Sequence, residues 1–167
     1  MRIKNILYTD RALTNLTMRV ATYKLFRSKN VGTMENIVLV NLTRNRIIGP
    51  SSDNITNEVN FSDEMLYALT NNIRKDKFAI IHNHPNNSGL SIMDLAAFLN
   101  WPSLKILVAV ANNLQYYYVV YKQNTTLRIE RATWEIFNRR TKMNQGHYPI
   151  DEFIPFLESR GFIVRVY

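Results

Sequence analysis

Apolar residues recur along this chain in two periods, and the period assigns most of its elements. Ile3–Tyr8 reads as a short strand. Leu13, Leu16, Val20 and Tyr23 recur at helical spacing and predict a helix that Thr9 or Asp10 caps. That helix runs to about Ser28, where Asn30-Val31-Gly32 closes it. Asn36–Leu42 is apolar and β-branched, hence a strand, and Arg46–Gly49 returns from a turn at Thr43-Arg44-Asn45-Arg46. Pro50–Phe61 is polar and reads as a loop or an irregular edge strand bordering a cleft. Ser62 caps a helix over Asp63–Lys75 with Leu66, Leu69 and Ile73 facing inward. Phe78–Ile81 is wholly apolar, the mark of a buried central strand.

His82–Leu90 reads as loop, and Ser91 caps a helix to about Asn100, which Pro102 helps to stop. Lys105–Ala111 and Gln115–Lys122 form a hairpin about Asn112-Asn113-Leu114, and Leu127–Glu130 reads as a further strand. Ala132–Lys142 is a basic helix carrying Trp134 and Phe137, followed by a breaker at Gln145-Gly146. Asp151–Arg160 is a shorter helix in which Pro155 is tolerable only near the first turn. Phe162–Tyr167 alternates like a strand. Strands interspersed with helices make this an α/β or α+β chain, and 167 residues suit one domain.

Composition narrows the chemistry. With 46% hydrophobic and 20% charged residues the chain is globular rather than disordered. The absence of cysteine excludes disulfide scaffolds, thiolate nucleophiles, cysteine-ligated zinc and iron–sulfur clusters, so any metal must use His, Asp or Glu. No run approaches the roughly 20 apolar residues of a membrane helix, and Met1–Tyr8 is too short for a signal peptide, so the expected location is the cytoplasm.

A formal charge of +8 permits an anionic partner, but the basic residues are scattered: Arg44 and Arg46; Arg74, Lys75 and Lys77; Arg139, Arg140 and Lys142. Tyr116-Tyr117-Tyr118 is either core packing or a base-stacking platform. Five glycines at 32, 49, 89, 146 and 161 make no phosphate loop. His147 reads as a surface or packing residue, with a substrate contact as the alternative.

Two histidines stand together in Ile81-His82-Asn83-His84-Pro85. Side chains two apart on extended chain project to one side, so His82 and His84 can present imidazoles to one point. Pro85 keeps His84 out of the helical region. Asp94 falls in the first turn of the helix that Ser91 caps, where the helix dipole favours an ionised carboxylate. Ser91-x-x-Asp94 is close to an ordinary capping box, a role compatible with ligation. Two His and one Asp form a three-ligand set for catalytic zinc, and suit other divalent metals as well. Glu35, at the mouth of the strand Asn36–Leu42, is the candidate base, and the Ser91 hydroxyl can donate to a developing oxyanion.

His82-Asn83-His84-Pro85, then Ser91-x-x-Asp94, with Glu35 opening an upstream strand, resembles the JAMM/MPN+ metallopeptidase motif, closest to its RadC-like branch. The resemblance runs from about Arg11 to Lys122. It implies a JAMM/MPN-like, cytidine deaminase-like core: a curved mixed β-sheet flanked by helices, over residues 1–124. Residues 125–167 would be a helical C-terminal extension packed on the same domain. It implies His82, His84 and Asp94 as Zn2+ ligands, Glu35 as general acid/base, and Ser91 as a stabiliser of the tetrahedral intermediate. The implied reaction is hydrolysis of a peptide or isopeptide bond, with ubiquitin-like conjugates among the candidate substrates and a homodimer compatible with the fold. The competing expectations are a RadC-like nucleic-acid-associated protein and a pseudoenzyme that keeps its metal as a scaffold. The family usually has seven residues between the second His and the Ser, whereas Pro85–Leu90 makes six.

Overall fold

The apolar runs that lack any alternation become the middle of a sheet, because both their faces must be covered. β1 (Asn36–Asn41) and β3 (Phe78–His84) are buried at every position. Around them stand β2 (Arg46–Ser52), β4 (Leu104–Ala111), β5 (Tyr117–Lys122) and β6 (Phe162–Val166), in the order β2-β1-β3-β4-β5-β6. The computed structural model describes residues 15–27, 33–52, 60–71, 77–86, 88–112, 117–123, 125–143 and 150–167. Among them the helices are α1 (Leu16–Phe26), α2 (Asp63–Asn71), α3 (Ile92–Asn100), α4 (Leu127–Met143) and α5 (Ile150–Ser159). The chain is thus α/β, a six-stranded mixed sheet flanked by helices. Only β3 and β4 run parallel, and α3 makes the crossover that such a pair requires.

The sheet has a core on each face. On one, Met18, Ala21 and Leu25 of α1 pack on Val38, Val40, Ala79 and Ile81. On the other, α2, α3, α4 and α5 cover Ile37, Leu39, Ile80, Leu107 and Val120. The rings of Phe137 and Phe153, 4.9 Å apart, tie α4 to α5. β6 pairs with β5 and closes that edge of the sheet with C-terminal residues.

Several expectations are corrected. The helix over 16–26 is capped by Asn15, whose side chain accepts from Thr17 N at 2.8 Å, while Thr9 and Asp10 lie outside the described residues. Its buried stripe is Met18, Ala21, Thr22 and Leu25, while Leu16, Val20 and Tyr23 are exposed. Both stripes have helical spacing; small Ala21 faces the sheet, and Thr22 satisfies its hydroxyl on Met18 O at 2.9 Å. In α2 the inward residues are Met65, Ala68 and Leu69, and Leu66 lies on the outer side.

Leu127–Glu130 is the first turn of α4 rather than a strand. Thr126 caps it through Ile129 N at 3.3 Å, and Glu130 turns inward to Lys105 Nζ at 3.2 Å and Thr125 Oγ1 at 2.7 Å. Lastly, β3 does not stop at Ile81. His82, Asn83 and His84 stay on the ladder opposite Ala109, Val110 and Ala111. Pro155 sits inside α5, past its first turn.

Other expectations stand. Ser62 caps α2, with Leu66 N on Ser62 O at 2.9 Å. β2 continues through Pro50 to Ser52, so that part of 50–61 is an edge strand. Gly49 makes the extra residue there possible. Its φ is +97°, and a Cβ would lie 2.7 Å from Met65 Cε, where the β1–β2 register shifts. Tyr117 is buried and stacked on Tyr167 at 4.9 Å, which removes its ring as a base-stacking face. The strand at Ile3–Tyr8, Leu13, the Asn30–Gly32 stop, Ile73, Arg74, Lys75, Tyr116 and His147 lie outside the described residues. Among the described residues no helix is long and apolar enough to cross a membrane.

Candidate metal centre

β1 and β3 are antiparallel neighbours with Ile37 opposite His82, which brings the residue before β1 to the end of β3. Glu35 therefore arrives beside His82 and His84, and all three are buried. The two imidazoles share one face of β3, and their Nε2 atoms stand 2.8 Å apart. α3 starts over that face. Asp94 Oδ1 lies 2.9 Å from His82 Nε2, and Oδ2 lies 3.3 Å from His84 Nε2. Glu35 Oε1 stands farther out, at 3.8 and 3.6 Å from the same nitrogens. One donor atom from each of the four falls within 4.8 Å of every other.

Three of the four donors are held from behind. Ser91 Oγ accepts from Asp94 N at 3.1 Å, and Asp94 Oδ2 accepts from Ser91 N at 2.7 Å, a complete capping box. The carboxylate is thus fixed by its own helix start, and with six residues between His84 and Ser91 Asp94 reaches the imidazoles. Ser88 orients His84: its carbonyl and Oγ each lie 3.0 Å from Nδ1. A carbonyl only accepts, so Nδ1 carries a proton and Nε2 is the nitrogen that faces the group.

Asn83 points to the opposite face from its neighbours and secures Glu35. Its Oδ1 accepts from Asn36 N at 2.8 Å, and its Nδ2 donates to Met34 O at 3.1 Å and to Asn112 Oδ1 at 2.8 Å. The backbone on both sides of Glu35 is therefore clamped by the residue between the two histidines. Sequence reasoning missed Asn83 and Ser88; a polar residue in the middle of a His-x-His pair on a buried strand was the available signal for the first.

Charge confirms how tightly the group is coupled. Burial alone would raise the Asp94 carboxyl, but the charge of His82 and hydrogen bonds from both imidazoles hold it well below the ordinary carboxylate range. Burial pushes the His84 imidazole down, yet the hydrogen bond to Asp94 and the charges of Asp94 and Glu35 overcome this and raise it above 6.5. This proton-rich cluster is what a divalent cation would replace, since a metal needs neutral imidazoles and ionised carboxylates.

The donor set fits such a cation. Four donors about 2.0–2.1 Å from a tetrahedral zinc stand about 3.3 Å from one another. The three closest pairs here span 2.8–3.3 Å. Two nitrogens with carboxylate oxygens suit zinc and also other first-row metals. The centre opens into a cleft of about 470 Å³ that Ser91 lines, together with Asn60 and Phe61 from before α2. The structure thus brings Glu35, His82, His84, Ser91 and Asp94 to one place. No family model, curated protein or solved structure matches the chain.

Proposed function

We propose that this chain is a JAMM-like metallohydrolase that binds Zn2+ through His82, His84 and Asp94 and cleaves a peptide or isopeptide bond. The observation that carries the reading is the convergence of two imidazoles and two carboxylates, on three separate elements, at the mouth of an open cleft. His82, His84 and Asp94 would hold the zinc, which when bound would lower the pKa of water from 15.7 to about 7 and supply a Lewis acid. The chain's own groups do the rest.

Glu35 is the outermost of the four, and its Oε1 accepts the proton of the attacking water and delivers it to the leaving amine. Its buried place beside two imidazoles keeps it within reach of both positions. Ser91 Oγ accepts from Asp94 N, which leaves the hydroxyl hydrogen free to be donated toward the oxygen of the tetrahedral carbon. Ser88 holds the His84 imidazole in one orientation through Nδ1.

The test is metal content together with turnover. Purified protein should hold about one zinc per chain, and His82→Ala or Asp94→Ala should lose it. Glu35→Gln should keep the zinc and lose peptide cleavage by 10²-fold or more, the order of a lost general base. Full metal content in Asp94→Ala would overturn the ligand set. Wild-type cleavage by Glu35→Gln would overturn the base.

A further inference from the structure

The cleft is larger than a cation and its water need; Asn60, Asn86 and Ser88 line part of it, and the rest of its lining away from the histidine–carboxylate group and Ser91 is apolar. Ile80 lies two residues before His82 on the same face of β3 and pairs with Leu107 of β4. Ile37 of β1 sits opposite His82. These three side chains floor the cleft while being nearly inaccessible themselves. Ala97, one helical turn after Asp94, forms one wall with Met93, and Phe61 forms the other. Two residues of strand span roughly 7 Å. The apolar arm therefore begins one side-chain length from the imidazoles.

We infer that this arm receives a large aliphatic or aromatic side chain of the substrate, on the residue whose carbonyl is attacked. The inference rests on the hydrolase reading and adds the substrate's chemistry to it. Three observations select this occupant. The arm is continuous with the cluster, so what enters it must be covalently close to the reacting carbonyl. Its floor and walls (Ile37, Ile80, Leu107, Ala97, Phe61, Met93) offer no charge, so a charged or strongly polar side chain would lose its hydration without recompense. Its size is sufficient: a cavity of about 150 Å³ lined by such residues holds a benzene ring, and the whole cleft measures about 470 Å³. A glycine at that position would leave the arm unused. The preferred acyl residue is thus of the leucine or phenylalanine kind.

Binding rather than turnover tests this. Acetohydroxamic, 4-methylpentanohydroxamic and 3-phenylpropanohydroxamic acids are titrated by calorimetry into the zinc-loaded protein. Each buried methylene should tighten binding about fourfold. The longer acids should therefore bind on the order of 10²-fold more tightly than the first. Ala97→Leu should remove part of that preference and Ala97→Phe nearly all of it, with metal content unchanged. Equal affinity across the series, or a preference that survives Ala97→Phe, overturns the arm while the metal centre stands. In metal-free protein, 4-methylpentanamide but not acetamide should shift the methyl resonances of Leu107 and Ala97. That result from a chain that takes up no zinc would overturn the hydrolase reading and keep the arm. Neither amide shifting them would overturn the arm.

Discussion

Asn83→Ala separates the group that positions Glu35 from the groups that hold the cation. The side chain is fully buried and makes three hydrogen bonds, two of them to the backbone on either side of Glu35. Truncation leaves the Asn36 N–H and the Met34 carbonyl without that partner. The Met34 carbonyl keeps Asn36 Nδ2 as a donor at 3.0 Å, so the loss falls mainly on the Asn36 N–H, and the variant should lose about 1–3 kcal/mol of stability. His82 and His84 project from the other face of β3 and keep their partners in Asp94 and Ser88. Zinc stoichiometry should therefore be unchanged.

Turnover should not be. With the strand entrance released, Glu35 shifts, and about 1 Å of misplacement costs on the order of 10²-fold in rate. Asn83→Asp retains an acceptor for Asn36 N but sets a carboxylate against the Met34 carbonyl, so it should be damaged similarly. Urea unfolding, metal analysis and peptide hydrolysis on the same preparations read the three quantities. If Asn83→Ala loses zinc as fully as His82→Ala does, or turns over like the wild type, the clamp has been misread.

Other outcomes follow from neighbouring contacts. A Cβ on Gly89 would lie 3.0 Å from the Tyr118 hydroxyl oxygen. Gly89→Ala should therefore loosen the Ser88 grip on His84 and weaken zinc binding about 10-fold, the lower end for an outer-shell change. Tyr118→Phe in the same chain should restore part of it, and unchanged affinity in Gly89→Ala would show that the loop yields freely. Zinc affinity should fall as pH drops through the raised His84 value, above 6.5, because protons then compete for the imidazole; isothermal titration between pH 6 and 8.5 reads this, and a flat profile would count against His84 as a ligand.

Lys122 is shifted the other way. Burial lowers its ammonium from 10.5 to about 8 despite Glu130 nearby. The unfolded chain then binds more protons between those values, so stability rises with pH across that window, by roughly 3 kcal/mol. The stability of the wild type relative to Lys122→Met should rise by that amount from pH 7.5 to 10.5, and a constant difference would refute it.

Much of this was legible in residue order because the signals were local. β1, β3, β4 and the α3 cap each announce themselves within a few residues. So did His82, His84, Ser91 and Asp94, since spacing on a strand and on a helix start fixes which way those side chains point; Glu35 joins them only through the pairing of β1 with β3. What was hidden depends on partners distant in sequence. The buried stripe of α1 was chosen by what the sheet can accommodate, not by which apolar residues are largest. His82-Asn83-His84 looks polar and suggests that β3 ends at Ile81, whereas its pairing with β4 carries the strand on to His84. The first turn of α4 read as strand because Glu130 breaks the expected polarity, being drawn inward by Lys105 and Lys122. Asn83 and Ser88 escaped notice because their value lies in what they touch.

The reciprocal bonds between Ser91 and Asp94 make that helix start a self-contained cassette: it carries its own carboxylate and its own locking groups. The tether between His84 and Ser91 therefore needs only enough contour to span the gap. Its length and wording can change without disturbing the lock that orients the Asp94 carboxylate.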